Sequence, residues 1–130
     1  MILTDFLLAR IADDEEWAKA ATPGPWGDPE EDFGYGEFGW YVHGCPAGET
    51  NDSEQGRADI KFIARNHPAR VLAECDAKRR IVEDFQYLDT DYHKTHSEFT
   101  EARRFQALVS LGHLAAAHAD HPDYREEWKP

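Results

Sequence analysis

The chain has 130 residues, of which 14 are lysine or arginine and 26 are aspartate or glutamate, giving a formal net charge of −12. A chain of this length makes one domain and can bury a core without a metal or a disulfide. The strong negative charge disfavours binding to nucleic acids or to acidic membrane surfaces. Because 41% of the residues are hydrophobic and 12% are aromatic, wholesale disorder is also disfavoured.

The two cysteines, Cys45 and Cys75, form neither a disulfide framework nor the close pair of a zinc or redox motif. A reducing cytoplasm is therefore the predicted compartment. Residues 1–17 contain a short apolar patch with no basic flank and with acids soon after it, so we expect no signal peptide. No run approaches the roughly 18 apolar residues of a membrane span.

The first predicted element is a helix within residues 1–22. Thr4 is its expected N-cap, and its apolar stripe consists of Leu3, Leu7 and Ile11. The helix should end at the Thr22-Pro23-Gly24-Pro25 segment, because proline cannot continue a helix.

A small antiparallel β-sheet with its loops is predicted for residues 23–56. Its clearest strand runs from Trp40 to His43, where β-forming residues are bounded by glycines. Trp26 is the expected start of a second strand. The segment 44–56 is rich in Gly, Asn, Asp and Ser, which predicts a loop or a long hairpin connection.

Residues 57–118 are predicted to form a helical hairpin. A short helix capped by Asp59 ends before Pro68, and Pro68 begins a long helix of roughly five turns. The apolar stripe of the long helix consists of Val71, Leu72, Cys75, Val82 and Phe85. Residues 86–95 are expected to connect it to the last helix.

The last helix is predicted to run to about His118, opened by a capping box of Thr95 and Glu98. Its apolar residues are Phe99, Ala102, Phe105, Leu108, Val109 and Leu111. Residues 119–130 form a tail whose Tyr124 and Trp128 can dock back on the domain. The whole chain, residues 1–130, is thus predicted as one α+β domain: an N-terminal helix, a small antiparallel sheet and two long antiparallel helices.

The two long helices carry more apolar surface than a small sheet covers, which favours a homodimer.

Only one stretch of the chain is locally basic. Residues 57–88 carry seven basic and five acidic side chains, so an anionic ligand is expected there. A nucleotide-like ligand needs an aromatic face for its base and arginine or lysine for its phosphates. The predicted ligand-binding residues are Trp26, Trp40, Tyr41, Arg65, Arg70, Lys78 and Arg79. The simpler alternative makes Arg70, Glu74 and Lys78 a ladder of surface ion pairs and Trp26 a core residue.

Pairs of histidines and of acidic residues give a second functional hypothesis. Their members, spaced three residues apart, are His93 and His96, His118 and His121, Glu98 and Glu101, and Asp120 and Asp123. Such pairs could hold a metal for phosphoester hydrolysis, and the carboxylate pairs are loosely similar to those of all-α nucleotide pyrophosphohydrolases. Solvated surface charges are the simpler interpretation. No motif indicates a bound cofactor, a phosphate loop or an activated nucleophile.

Three phrases of the sequence, in this order, resemble an uncharacterised domain family carried by actinobacteria and their phages. They are ATPGPW at 21–26, ARVLAE with AKRRIV within 62–82, and ADHPDYREEW at 119–128. The Thr-Pro-Gly-Pro-Trp element is also similar to a wider set of small bacteriophage accessory proteins. Relatives carry extra cysteines between the long helix and the tail, whereas Gln86 to Arg104 holds none, so no zinc site is inferred for this chain.

The resemblance implies a compact protein of phage or mobile-element type in the cytoplasm of a bacterial host cell. The leading hypothesis is a non-catalytic accessory protein, with counter-defence as one role, that binds a host protein or sequesters a small anionic, nucleotide-derived ligand. The alternative is a metal-dependent nucleotide or phosphoester hydrolase. A third hypothesis is mimicry of nucleic acid by the acidic residues 13–16 and 28–32.

Overall fold

The computed structural model describes residues 1–24, 26, 33–45 and 48–130, without the side chain of Phe33. The chain divides into two compact units, each described by itself. The hairpin unit comprises Met1–Asp13 and Cys75–Pro130, and the sheet unit comprises Asp14–Glu74. An N-terminal helix, a small antiparallel sheet and long helices follow one another, which confirms the predicted α+β class. One domain over residues 1–130 stays a prediction.

The N-terminal helix, α1, runs from Leu3 to Ala20. Its first backbone bond joins the amide of Phe6 to the carbonyl of Ile2 at 3.0 Å. The prediction of Thr4 as N-cap was wrong, because Thr4 is already inside the first turn and is buried. The predicted apolar stripe is confirmed, since its three residues are all buried and flank the fully buried Phe6.

The sheet consists, in the described residues, of three antiparallel strands in the order β1, β2, β3. They are β1 (Phe33–Tyr35), β2 (Gly39–Val42) and β3 (Thr50–Asn51). Strand β2 confirms the prediction for 40–43 with a shift of one residue. The prediction for Trp26 was wrong, because Trp26 lies outside any strand. Strand β3 falls in the segment expected to be a connection, where two residues are too few to give an alternating pattern.

Helix α2 runs from Glu54 to Arg65 and begins earlier than predicted. Ser53 is its N-cap, and the Ser53 hydroxyl accepts a hydrogen bond from the amide of Gly56 at 2.9 Å. Asp59 therefore lies inside the helix, and its predicted capping role was wrong. A Cβ on Gly56 would lie 1.9 Å from the Asn51 carbonyl oxygen, so this glycine lets the helix start directly against β3.

Helix α3 begins at Pro68, as predicted, and continues to Lys94. The predicted connection over 86–95 was therefore wrong, because nearly all of it is helical. Only residues 95–97 separate α3 from α4, which runs from Glu98 to Ala116. No helix of the structure, as far as it is described, is both long and apolar enough to cross a membrane.

Helix α4 is opened by a capping box, but not by the predicted residues. The Ser97 hydroxyl accepts from the Thr100 amide at 3.2 Å, and the Thr100 hydroxyl accepts from the Ser97 amide at 3.0 Å. The predicted pair of Thr95 and Glu98 lies two residues too early. The true box contains Thr100 where the usual pattern has Glu or Gln, which explains why the pattern missed it.

Most of the predicted apolar residues of α3 are buried, whereas most of those of α4 are not. In α3, the predicted stripe residues Cys75, Val82 and Phe85 are buried. In α4 the prediction fails for Phe99 and Phe105, which are 69% and 64% exposed. Arg104, which lies between them in the sequence, turns toward α3. Its guanidinium lies over the rings of Phe85 and Tyr92 and holds the Asp89 carboxylate at 2.5 Å.

The tail after α4 turns back onto Phe6 of α1. The Phe6 ring is fully buried, and its centroid lies 5.0–6.3 Å from four tail rings, those of His118, His121, Tyr124 and Trp128. The short 3-10 helix Glu126–Trp128 passes over Gly112 of α4. A Cβ at Gly112 would lie 2.6 Å from the Trp128 carbonyl oxygen, so this position must lack a side chain.

We expect Gly112→Ala to destabilise the protein by about 1–3 kcal/mol, because the added methyl group would collide with the tail backbone. Glycine to alanine in an unobstructed helix stabilises by about 1 kcal/mol, so the sign of the change is diagnostic. Thermal unfolding followed by circular dichroism measures it, and Ser110→Ala, at an exposed position of α4, is the control. A Gly112→Ala protein more stable than the parent would contradict the tail placement.

Candidate functional site

A small core in the sheet unit collects two of the predicted aromatic residues. Trp26 and Trp40 are partly buried and pack, with Cys45, against a buried cluster of Val42, Ile60 and Ala64. The Trp26 indole donates a hydrogen bond to the Thr22 carbonyl at 2.9 Å. Trp26 therefore fits the core alternative rather than an open platform for a nucleotide base.

The ring of Trp40 contacts two other side chains. The guanidinium of Arg57 lies 5.3 Å from its centroid, and the ring of Tyr35 meets it edge-on at 5.2 Å. Such an arginine is held by the electrostatic attraction of the aromatic face. Arg57 lies in the basic segment but was not among the predicted site residues, because a contact between a strand and a helix leaves no short-range spacing to find.

Tyr41 lies on the other face of the sheet, because neighbouring residues of a strand alternate. Its ring covers Gly34 of β1, where a Cβ would lie 2.0 Å from Cζ of Tyr41. The ring also meets His43 edge-on at 5.2 Å. The structure therefore does not bring Tyr41 and Trp40 together as one aromatic surface.

The predicted cations are divided between the two units. Arg70 holds Glu74 at 2.9 Å and donates to the Arg65 carbonyl at 3.1 Å, which confirms the ion-pair alternative for that pair. Lys78 and Arg79 lie on the part of α3 that belongs to the hairpin unit.

The histidine and carboxylate pairs are occupied in structural contacts or exposed. His121 contacts the Arg10 guanidinium and, through Nδ1, the Asp123 amide at 3.1 Å. His93 lies 3.6 Å from Asp89. Within the described ranges, no group of three His, Cys, Asp or Glu side chains is placed to hold a metal. The acidic residues 28–32 of the mimicry hypothesis lie outside the described residues.

The hairpin unit contains a groove that the sequence did not indicate, and we call it the tail groove. It encloses about 370 Å³, a size typical of ligand pockets. Its lining residues are Leu3 from α1, Phe105, Leu108 and Val109 from α4, and Glu127, Trp128, Lys129 and Pro130 from the tail. The groove is thus mainly apolar. The only feature of the sequence that pointed toward it was the expected docking of Trp128 on the domain.

The charged side chains of the tail groove are not equivalent. The Glu127 carboxylate lies 3.5 Å from the guanidinium of Arg125, which in turn lies 5.7 Å from the ring centroid of Trp128. Lys129 is exposed and forms no ion pair with any residue that the structure describes. The groove therefore combines a mainly apolar lining with one lysine that has no ion pair among the described residues.

The exposed edge of the sheet is acidic. A hydrogen bond to Asp52 raises the pKa of Tyr35 above its ordinary value of 10.0, with smaller contributions from lost hydration and from the charges of Asp52 and Glu49. The Glu49 carboxylate also accepts from the Phe38 amide at 2.6 Å in the turn between β1 and β2. These carboxylates disfavour a phosphate ligand beside Trp40.

We expect Asp52→Asn to lower the pKa of Tyr35 toward 10.0, because the phenolate loses an unfavourable charge and the phenol loses its best acceptor. Tyrosine-selective NMR during an alkaline titration measures this pKa, and Asp59→Asn is the control. An unchanged pKa would refute the contact. The stabilisation from a raised folded-state pKa is complete below the unfolded value and is lost as pH rises through the folded one.

Comparison with known proteins identifies a family. The model of the Family of unknown function (DUF6221) matches residues 1–130. No curated protein and no solved structure matches the chain. The actinobacterial and phage setting stays a prediction. Because the family model covers the whole chain, the protein belongs to the Family of unknown function (DUF6221), in agreement with the resemblance to an uncharacterised domain family.

Proposed function

We propose that this chain is a non-catalytic binding protein that takes up a small amphipathic anion in the tail groove. The observation that carries the proposal is an apolar groove of about 370 Å³ whose lining includes Lys129, a lysine with no ion pair among the described residues. The apolar body of the ligand would lie in the groove. Its single acidic group would pair with Lys129.

The lining favours an apolar body. Phe105 and Trp128 offer aromatic surface, and Leu108 and Val109 offer aliphatic surface. Phe105 is 64% exposed, so a ligand that covers it removes apolar area from water. Each Å² of such area contributes about 25 cal/mol.

The charges favour one acidic group rather than a polyphosphate. The net charge of −12 repels anions at long range, so an anion must be held by a short-range contact. Lys129 supplies one such contact, and Arg125 offsets Glu127. A nucleotide would need several donors, whereas Lys129 supplies one. The proposal therefore keeps the small anionic ligand of the sequence hypothesis and replaces its nucleotide character.

The resemblance of the three sequence phrases to a family carried by actinobacteria and their phages supports a phage-type accessory role. In that role, sequestration of the ligand would serve counter-defence in a bacterial cell. An apolar side chain of a host protein is the other occupant that the tail groove would accept. The metal-dependent hydrolase has no supporting observation in the described residues.

We expect octanoate to bind and its uncharged analogue octanamide to bind about tenfold more weakly, since a pairing worth about 1.4 kcal/mol changes an equilibrium tenfold. Isothermal titration calorimetry measures both affinities. In Lys129→Gln the two ligands should bind equally. In Lys94→Gln, which removes an exposed lysine at the end of α3, the difference should persist.

Several outcomes would redirect the proposal. Equal binding of octanoate and octanamide to the parent protein would remove the role of Lys129 and leave an apolar groove. Stabilisation by AMP but not by octanoate in a thermal-shift assay would restore the nucleotide hypothesis, and stabilisation by Mg²⁺ or Zn²⁺ alone would favour the hydrolase. No response to any of them would favour the host protein.

A further inference from the structure

A second groove runs between α3 and α4 on the surface of the hairpin unit, and we call it the hairpin groove. It measures about 360 Å³. One wall carries Ile81, Asp84 and Leu88 of α3, and the other carries Arg103, Gln106, Ala107 and Ser110 of α4. The tail groove shares none of these residues.

Apolar side chains at helical spacing are partly exposed along this groove. Ile81 is 39% exposed, and Leu88 follows it seven residues later on the same side of α3. Outside the groove lining, Phe99 of α4 is 69% exposed and lies four residues before Arg103. Seven-residue spacing of this kind is the pattern by which helices pack against a neighbouring helix.

The groove also carries one acid and one base that are not paired. Asp84 and Arg103 lie on opposite walls, and neither forms an ion pair with another described residue. The Arg103 guanidinium rests over the ring of Phe99, 5.4 Å from its centroid. The α3 wall therefore carries a negative charge and the α4 wall a positive charge, so the α3 wall of one copy would attract the α4 wall of another.

This arrangement is complementary to itself. A two-fold axis that lies in the plane of the face and runs along the groove exchanges the walls of two copies. Asp84 of each copy then faces the wall that carries Arg103 of the other, and the exposed apolar residues meet between them. A purely basic partner would oppose Arg103, and a purely acidic one would oppose Asp84.

We infer that the hairpin groove binds a second copy of this chain, so that two α3–α4 hairpins form a four-helix arrangement. The inference is independent of the ligand proposed for the tail groove. Two chains of charge −12 repel each other, so they associate best where the local charges are balanced. The hairpin groove, with its one acid and one base, meets that condition.

Sedimentation equilibrium over a range of concentrations tests association. We expect a dimer of twice the 14.9 kDa mass of one chain, and a dissociation constant raised about tenfold or more by Ile81→Lys. Ile63→Lys is a matched control, because Ile63 on α2 is 37% exposed, nearly the same as Ile81. A monomer at all concentrations would overturn the inference, as would equal effects of the two variants.

A charge-swap experiment identifies the pairing. Asp84→Arg alone and Arg103→Asp alone should each weaken the dimer, because each places like charges opposite each other. An equimolar mixture of the two variants should associate again, since Arg at 84 of one chain then meets Asp at 103 of the other. Only an intermolecular contact gives this rescue. A mixture that associates no better than either variant alone would overturn the inference, and circular dichroism checks that each variant is folded.

Discussion

The hairpin unit depends on the burial of the Phe6 ring by the tail. Phe6 meets four tail rings, and the guanidinium of Arg10 lies 5.5 Å from its centroid while pairing with Asp13 at 2.8 Å. This packing fixes Trp128, and Trp128 in turn fixes the residues beside it at the rim of the tail groove. Gly112 lets the backbone approach α4 closely enough for that wall to form. The groove is therefore a consequence of tail packing and not of any local motif.

Local signals in the sequence predicted the parts of the fold that local physics determines. Pro68 begins α3 because its fixed φ and missing N–H suit the first helical position, and the glycines around β2 bound a strand of β-forming residues. The prediction ended α3 too early, although residues 86–94 contain no proline or glycine that would break the helix, because the contacts of this part with α4 are not visible in the local sequence. Arg104 reaches across from α4 to Asp89 and Tyr92, and these contacts extend the helix for two more turns.

For the candidate site, the sequence predicted the types of residue involved but not which residues come together. Trp40 was predicted as an aromatic face for a ligand, and its ring carries the guanidinium of Arg57, in the first turn of α2, which was not among the predicted site residues. Trp40 also packs against the core of the sheet unit. Arg70, one of the predicted ligand-binding residues, pairs with Glu74, because a partner four residues away on the same helix is within reach. The tail groove joins Leu3 to residues near Trp128, from opposite ends of the chain, and no spacing rule reaches that far.

The overall charge of this protein is a poor guide to its binding surfaces. A net charge of −12 disfavours polyanionic partners, but screening limits that field to about 10 Å at ordinary salt concentrations. Within that distance the decisive charges are those lining each groove, and both grooves contain one acid and one base. They differ in how those charges are used. Among the described residues, Arg125 engages Glu127 in the tail groove and Lys129 has no ion pair, which suits an anion. In the hairpin groove neither Asp84 nor Arg103 has an ion pair among those residues, which suits a partner carrying the same pair in reverse.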